Sequence, residues 1–150
     1  MELLELLSID VNVAPPLELG DPGTGTRRVI PFDGGTFAGR GGLRGTLAPG
    51  GADWQFVRSD GTIEIDAHYV LETDGGARIE VRSTGIRVAT PEVVERITAG
   101  DPVDPSEYYF RTHIRLTSAD ASLRWMNDVI AVSAGERRRS SVRIDVFELT

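Results

Sequence analysis

Asp53, Asp66, Tyr69, Arg82 and Arg111 are the side chains of this sequence whose types suit proton transfer and oxyanion binding. A carboxylate can take a proton, a phenol can donate one or hydrogen-bond a carbonyl oxygen, and a guanidinium can steady developing negative charge. Their spacing restricts which can act together. In residues 62–71, Ile63, Ile65, Ala67, Tyr69 and Leu71 alternate with Thr62, Glu64, Asp66, His68 and Val70. A period of two therefore sets Tyr69 and Asp66 on opposite faces of one strand. If the apolar face is interior, Asp66, His68 and Arg82 form an outward polar network. If the interior is polar, Glu64, Asp66, His68, Glu80 and Arg82 form an acid-base set with an anion-binding guanidinium, joined by Arg111 and His113. Asp53 follows a glycine turn and suits either a turn-capping carboxylate or a base at a rim. Trp54, Tyr108 and Phe110 suit an aromatic wall against a ligand, and equally an ordinary core. Trp125 and Asn127 suit a gate at a cavity mouth, or a closing corner with the tryptophan packed and the amide capping a turn.

Composition removes several chemistries. The chain has no cysteine, and all 16 of its basic residues are arginine. Thiolate nucleophiles, disulfides, cysteine-ligated zinc, Schiff bases and a phosphate-loop lysine are thereby excluded. The two histidines fall on separate strands without metal-ligand spacing. No G-x-S-x-G elbow is present, and residues 39–45 do not follow G-x-G-x-x-G. Neither a metal nor a cofactor is expected. A net charge of −7 argues against nucleic acid or an anionic membrane surface as the partner. Arg137, Arg138 and Arg139 are expected at a hairpin tip, as a solvated turn, with a phosphate patch as the alternative. No apolar run approaches the roughly 18 residues of a membrane span. Glu2 and Glu5 stand where a signal peptide needs positive charge, so the expected location is cytoplasmic.

The elements that must position these side chains are mostly strands. Residues 2–13 begin with leucines that would also suit a helix, then alternate as Leu7, Ile9, Val11 and Val13, which reads as a strand. Pro15, Pro16 and the glycine-rich stretch to Gly25 read as a loop. Strands follow over 27–39 and 43–47, and a long hairpin turns at Asp74-Gly75-Gly76. Hydrophobic pairing selects the register that sets Leu71 opposite Ile79 and Tyr69 opposite Val81. Thr90, Pro91 and Glu92 open one helix, which Gly100 ends. Its stripe of Val93, Val94 and Ile97 suits a cover over a barrel mouth. Two further strand regions complete the chain. Eight or nine strands and one short helix near 91–99, with no βαβ rhythm, predict one all-β domain over 1–150. Closing as a single antiparallel β-barrel removes exposed edges.

Several segments carry a family resemblance. They are Gly34-Gly35-Thr36-Phe37, residues 49–55, Asp66-Ala67-His68-Tyr69 with Thr73-Asp74-Gly75, Tyr109-Phe110-Arg111-Thr112, and Trp125-Met126-Asn127. Together they resemble, in one order across nearly the whole chain, the bacterial and fungal family known as domain of unknown function 3237, or uncharacterised protein family 0311. The resemblance implies a compact antiparallel barrel with an interior pocket, lipocalin-like or allene-oxide-cyclase-like in general shape. His68 departs from the arginine common after Asp-Ala in the family, and Met126 from the usual leucine.

The expectation is a barrel enclosing a small carbonyl-bearing or aromatic molecule. If catalytic, it would perform cofactor-independent isomerisation, cyclisation or elimination. Two alternatives belong to other classes: a carrier without turnover, and a structural or oligomeric barrel with a packed interior. The expected partners are a small-molecule ligand and, under any of these readings, a second copy of the chain in a homodimer.

Overall fold

The alternation along Ile63–Thr73 and Arg78–Val88 is realised as two strands with one buried and one exposed face. In the computed structural model, which describes residues 1–150, the order is β1 (Leu3–Val13), β2 (Leu17–Gly20), β3 (Thr26–Gly39), β4 (Arg44–Leu47), β5 (Ala52–Val57), β6 (Ile63–Thr73), β7 (Arg78–Val88), α1 (Pro91–Thr98), β8 (Tyr109–Thr117), β9 (Ala131–Arg137) and β10 (Ser141–Leu149). All pairings are antiparallel. The sheet runs β1-β10-β9-β8-β7-β6 and continues through β4 and β5 to β3, which pairs back onto β1 and closes the barrel. β4 and β5 occupy one place in turn: each lies between β3 and β6, β4 toward the Leu71 end and β5 toward the Ile63 end. The closed wall therefore has eight places.

Two local stretches differ from the sequence expectation. Leu17–Gly20 is a short strand on the edge of β3, not a loop, despite the prolines before it and the glycines after it. Leu6 and Leu7 are both buried because a register shift between Glu5 and Leu7 inserts an extra residue in β1. A bulge of this kind turns two consecutive side chains inward and accounts for the helix-like leucine spacing.

The hairpin register is the one that hydrophobic pairing selects, with Leu71 opposite Ile79, Tyr69 opposite Val81 and His68 opposite Arg82. Helix α1 is capped by Thr90, whose hydroxyl accepts from the Val93 N–H, and Pro91 opens its first turn. Inside the barrel the packing is uneven. Toward one end Leu71, Ile79, Val81, Leu116, Ile9 and Val146 join Met126 in a filled core. Toward the other, small residues face inward on adjacent strands: Ala67 opposite Ser83, Gly85 opposite Thr112, and Thr112 opposite Ser133. Large side chains at those places would fill the lumen; small ones leave it open. The barrel with a wholly packed interior is thus not what the chain forms. No helix is long and apolar enough to cross a membrane.

Candidate active site

The open half of the lumen is a cavity of about 470 Å³. This lies within the range of small-molecule sites. Tyr69 forms part of it where the packed half begins, its ring edge-on to Phe32 at 5.3 Å between centroids. The neighbouring turn must stay close, because a Cβ at Gly51 would come 2.6 Å from the Tyr69 Cβ. The Tyr69 hydroxyl has no hydrogen-bond partner in the chain. Burial, with the Asp53 charge adding to it, pushes its pKa well above the ordinary tyrosine value. The phenol is thus held protonated, a donor without an internal acceptor.

Asp53 points into the same cavity from β5 and is 7% exposed. Gln55 Nε2 donates to its Oδ2 at 2.7 Å, and the Asp66 backbone N–H donates to Oδ1 at 2.9 Å. Gln55 is itself oriented by Arg28, whose Nε donates to Oε1 at 2.7 Å. Burial raises the Asp53 pKa, and the two hydrogen bonds partly offset the rise. The result is a carboxylate fixed in position and made more basic than one in water.

A raised carboxyl pKa in the folded state means that folding favours the protonated form. The stability it contributes is fully present below the unfolded value near 3.8 and is lost as pH rises through the folded value. Asp53→Asn has no such titration. The unfolding free energy of Asp53→Asn minus that of the wild type should therefore increase from pH 4 upward, then level once Asp53 is ionised in the folded protein. Urea melts from pH 4 to 8 measure this difference, and a flat or falling difference would contradict the raised pKa.

Four arginines also line the cavity: Arg28, Arg87, Arg137 and Arg139. Arg87 comes from the inward face of β7, and burial with neighbouring Arg28 and Arg137 depresses its pKa to about 10, so it remains charged at neutral pH. Arg137 Nη1 donates to the carbonyls of Arg138 and Ser141, and its backbone N–H donates to the Tyr108 hydroxyl at 2.9 Å. From Ser83 a chain of hydroxyls crosses three strands: Ser83 Oγ donates to Thr112 Oγ1 at 2.9 Å, which lies 2.6 Å from Ser133 Oγ. The C-terminal turn of α1, with Ile97 and Gly100, supplies part of the cavity wall.

Of the candidates drawn from sequence, Tyr69, Asp53 and Phe110 line this cavity. Phe110 lies flat enough over β9 that a Cβ at Gly135 would come 2.7 Å from its ring, so only glycine suits that place. Tyr108 is buried next to the cavity, where it accepts from Arg137, but does not line it.

The other candidates lie elsewhere, chiefly for reasons of strand parity. Asp66 and Arg82 point outward and pair with each other at 2.9 Å, beside the exposed His68–Glu80 pair at 2.6 Å. The acid-base set of Glu64, Asp66, His68, Glu80 and Arg82 therefore lies on the outer face of the barrel, not in the lumen. Arg111 follows the inward Phe110, so it must point out, where its guanidinium stacks 5.3 Å from the Tyr109 ring. Trp54 follows the inward Asp53 and is 54% exposed. Trp125 sits in a 3-10 segment, Ala121–Asp128, over which Arg40 stacks at 5.7 Å. Asn127 closes the adjoining turn, accepting from the Ser118 N–H at 2.7 Å and donating to the Ser118 carbonyl at 2.9 Å. Neither lines the cavity: Asn127 caps the turn as the corner reading expects, whereas Trp125 is not packed inside but lies exposed beneath Arg40.

Arg28, Gln55, Arg87 and Arg137 are absent from the sequence candidates. A signal existed for Gln55 and Arg87. Gln55 shares the parity of Asp53, and carrying the alternation of Ile79, Val81 and Ser83 on through Gly85 puts Arg87 on the inward face. Arg137 and Arg139 belong to the cluster expected at a solvated tip; both instead reach the cavity wall.

Comparison with known proteins adds the family context. A family model described as "Protein of unknown function (DUF3237)" matches residues 1–149. UPF0311 protein RPA1785 of Rhodopseudomonas palustris is 35% identical over 149 residues, covering 99% of this chain and 97% of that protein. Its crystal structure, described as that of a conserved protein of unknown function, is similar at a TM-score of 0.93 over the same shares of the two chains. A beta-barrel like protein from Acinetobacter baumannii (ABAYE2633), 37% identical, gives a TM-score of 0.86 over 99% of this chain and 96% of that one. An enzyme from Penicillium herquei has the same fold, with a TM-score of 0.74 at 20% identity over 99% of this chain and 94% of that one.

Proposed function

The chain belongs to the DUF3237 family of proteins of unknown function, whose relatives carry the name UPF0311, and from that premise we propose that it is a small-molecule-binding barrel performing cofactor-independent acid-base chemistry on a carbonyl-bearing or aromatic metabolite. The observation that carries this reading is the shared exposure of Asp53 and Tyr69 to one cavity, the first a buried carboxylate with a raised pKa and the second a phenol with no internal acceptor. Groups with complementary proton affinities set on one small cavity are the arrangement that acid-base catalysis requires.

The chemistry follows from the two groups. Asp53 accepts a proton from the carbon next to a carbonyl, while the Tyr69 hydroxyl donates a hydrogen bond to the carbonyl oxygen as it gains charge. Returning the proton to another atom isomerises the substrate. Attack of the enolate carbon on an electrophilic carbon of the same molecule closes a ring, the electrophile's heteroatom taking the charge and then the proton held by Asp53, and loss of a β-substituent with its bonding electrons gives elimination. Both Asp53 oxygens already accept one hydrogen bond each, but a carboxylate oxygen has a second lone pair free for the incoming proton. That a barrel of the same fold is described as an enzyme is support at the level of fold alone. A cytoplasmic location belongs to the same proposal.

Deuterium incorporation next to the carbonyl of phenylacetone or phenylpyruvate in D₂O, followed by proton NMR, tests the reading. The wild-type protein should accelerate incorporation above the buffer rate. Tyr69→Phe should slow it by about 10²-fold, the cost of removing one donor to a developing oxyanion. Its melting temperature should stay close to that of the wild type, because the hydroxyl has no partner in the chain to lose. No acceleration by the wild type with either ketone would count against the proposal.

A further inference from the structure

Arg87 is a buried cation to which the chain offers no partner. It is 8% exposed, its side chain faces the cavity, and it makes neither a hydrogen bond nor an ion pair within the protein. A charge taken out of bulk water is costly unless something compensates it, and the missing acceptors have to come from what occupies the cavity. The groups around Arg87 sharpen this need. Arg28 and Arg137 act on it as like charges, while Tyr108 and Asp53 act in the opposite sense. Counting Arg139, four guanidinium groups meet a single carboxylate around this cavity, in a chain whose net charge is −7. A low-dielectric cleft lined by one sign of charge concentrates ligands of the other sign.

We propose that the cavity takes a metabolite bearing a carboxylate, held by the free Arg87 guanidinium with Arg28 and Arg137 around it, with the apolar body against Ile65, Phe110, Val142 and Ile144. This names the substrate class of the acid-base reading above and rests on the same lumen as its site. A single uncommitted guanidinium offers parallel donors that match the two oxygens of a carboxylate. Two features disfavour a dianion such as phosphate. Asp53 faces the same space, and α1 presents its C-terminal turn, the negative end of its dipole.

Calorimetric titration of the full chain with phenylpyruvate and with its uncharged counterpart phenylacetone tests the proposal without any variant. The wild type should bind the carboxylate at least about 10-fold more tightly, and salt should weaken that preference. In Arg87→Met the binding of phenylpyruvate should weaken by about 10–100-fold while phenylacetone binding is unchanged. Arg87→Lys, which keeps the charge and loses the fork, should fall between. Arg87→Met should melt no lower than the wild type, since it removes an unpaired charge and keeps an apolar stem. Equal affinity of the wild type for the two ketones, or an undiminished preference in Arg87→Met, would overturn the proposal. Displacement of phenylpyruvate by equimolar inorganic phosphate would overturn the choice of carboxylate. Binding of phenylpyruvate without deuterium incorporation would sink the acid-base reading and leave this inference standing; equal turnover of both ketones, insensitive to Arg87, would do the reverse.

Discussion

Asp53→Asn is expected to slow deuterium incorporation into a bound ketone by about 10²–10⁴-fold, the range that a positioned general base contributes. The substitution keeps the size and shape of the side chain and removes only the basic lone pairs. Asparagine can still accept the Asp66 N–H through its carbonyl oxygen, so the strand contact that positions residue 53 survives. Its amide nitrogen then faces the Gln55 amide, which is pinned by Arg28. That mismatch reorients Gln55 at most locally, because Asp53 and Gln55 are both held by backbone pairing to β3. Ligand affinity should therefore change much less than rate. The measurement is the incorporation rate at saturating ketone beside a titration of the same variant. Loss of rate together with loss of folding would say nothing of a base, so the urea melts described above accompany it. An Asp53→Asn protein that is folded, binds the ketone and exchanges at the wild-type rate would remove Asp53 from the chemistry.

The second large effect concerns the packed half of the barrel, on which the open half depends. Leu71 and Ile79 lie opposite each other across β6 and β7, both wholly inaccessible to solvent. Leu71→Ala should destabilise the protein by about 3 kcal/mol, the middle of the range for a leucine lost from a close-packed core. For a chain of this length that lowers the melting temperature by roughly 6–12 °C. An outward pair on the same two strands, His68 and Glu80, provides the contrast. His68→Ala breaks an exposed contact with Glu80 and should change stability by less than about 0.5 kcal/mol. Calorimetric melts of the two variants check both figures. A mild Leu71→Ala would mean that neighbouring side chains collapse into the space, and hence that the lower half of the lumen is less rigid than its burial implies.

Much of this architecture was legible along the chain. Parity within a strand is a local property, since successive Cβ atoms must point to opposite faces. Residues 62–71 therefore reveal that Tyr69 and Asp66 cannot share a pocket, and hydrophobic pairing fixes the hairpin register that the structure has. The capping signals around Thr90 and Pro91 place the helix. The same local rule explains the misplaced candidates: Trp54 and Arg111 each sit one residue from an inward side chain, so grouping them with Asp53 and Phe110 asked adjacent residues to face the same way. Only the side of the sheet that turns inward had to be supplied by the burial of the apolar face.

What the sequence determined by itself is a closed antiparallel barrel with an apolar inside, because periodicity two and the avoidance of open edges act on short stretches of chain. Tertiary structure alone decided which residues meet. Asp53 on β5, Tyr69 on β6, Arg87 on β7 and Arg137 at the end of β9 are brought to one half of the lumen by the stagger between strands and by β4 and β5 sharing a single place in the wall. Those relations depend on pairings between residues far apart in sequence, which no local pattern encodes. The small inward residues Ala67 and Ser83 look like weak core positions one at a time, and only their pairing across β6 and β7 inside the closed sheet makes them part of a cavity wall.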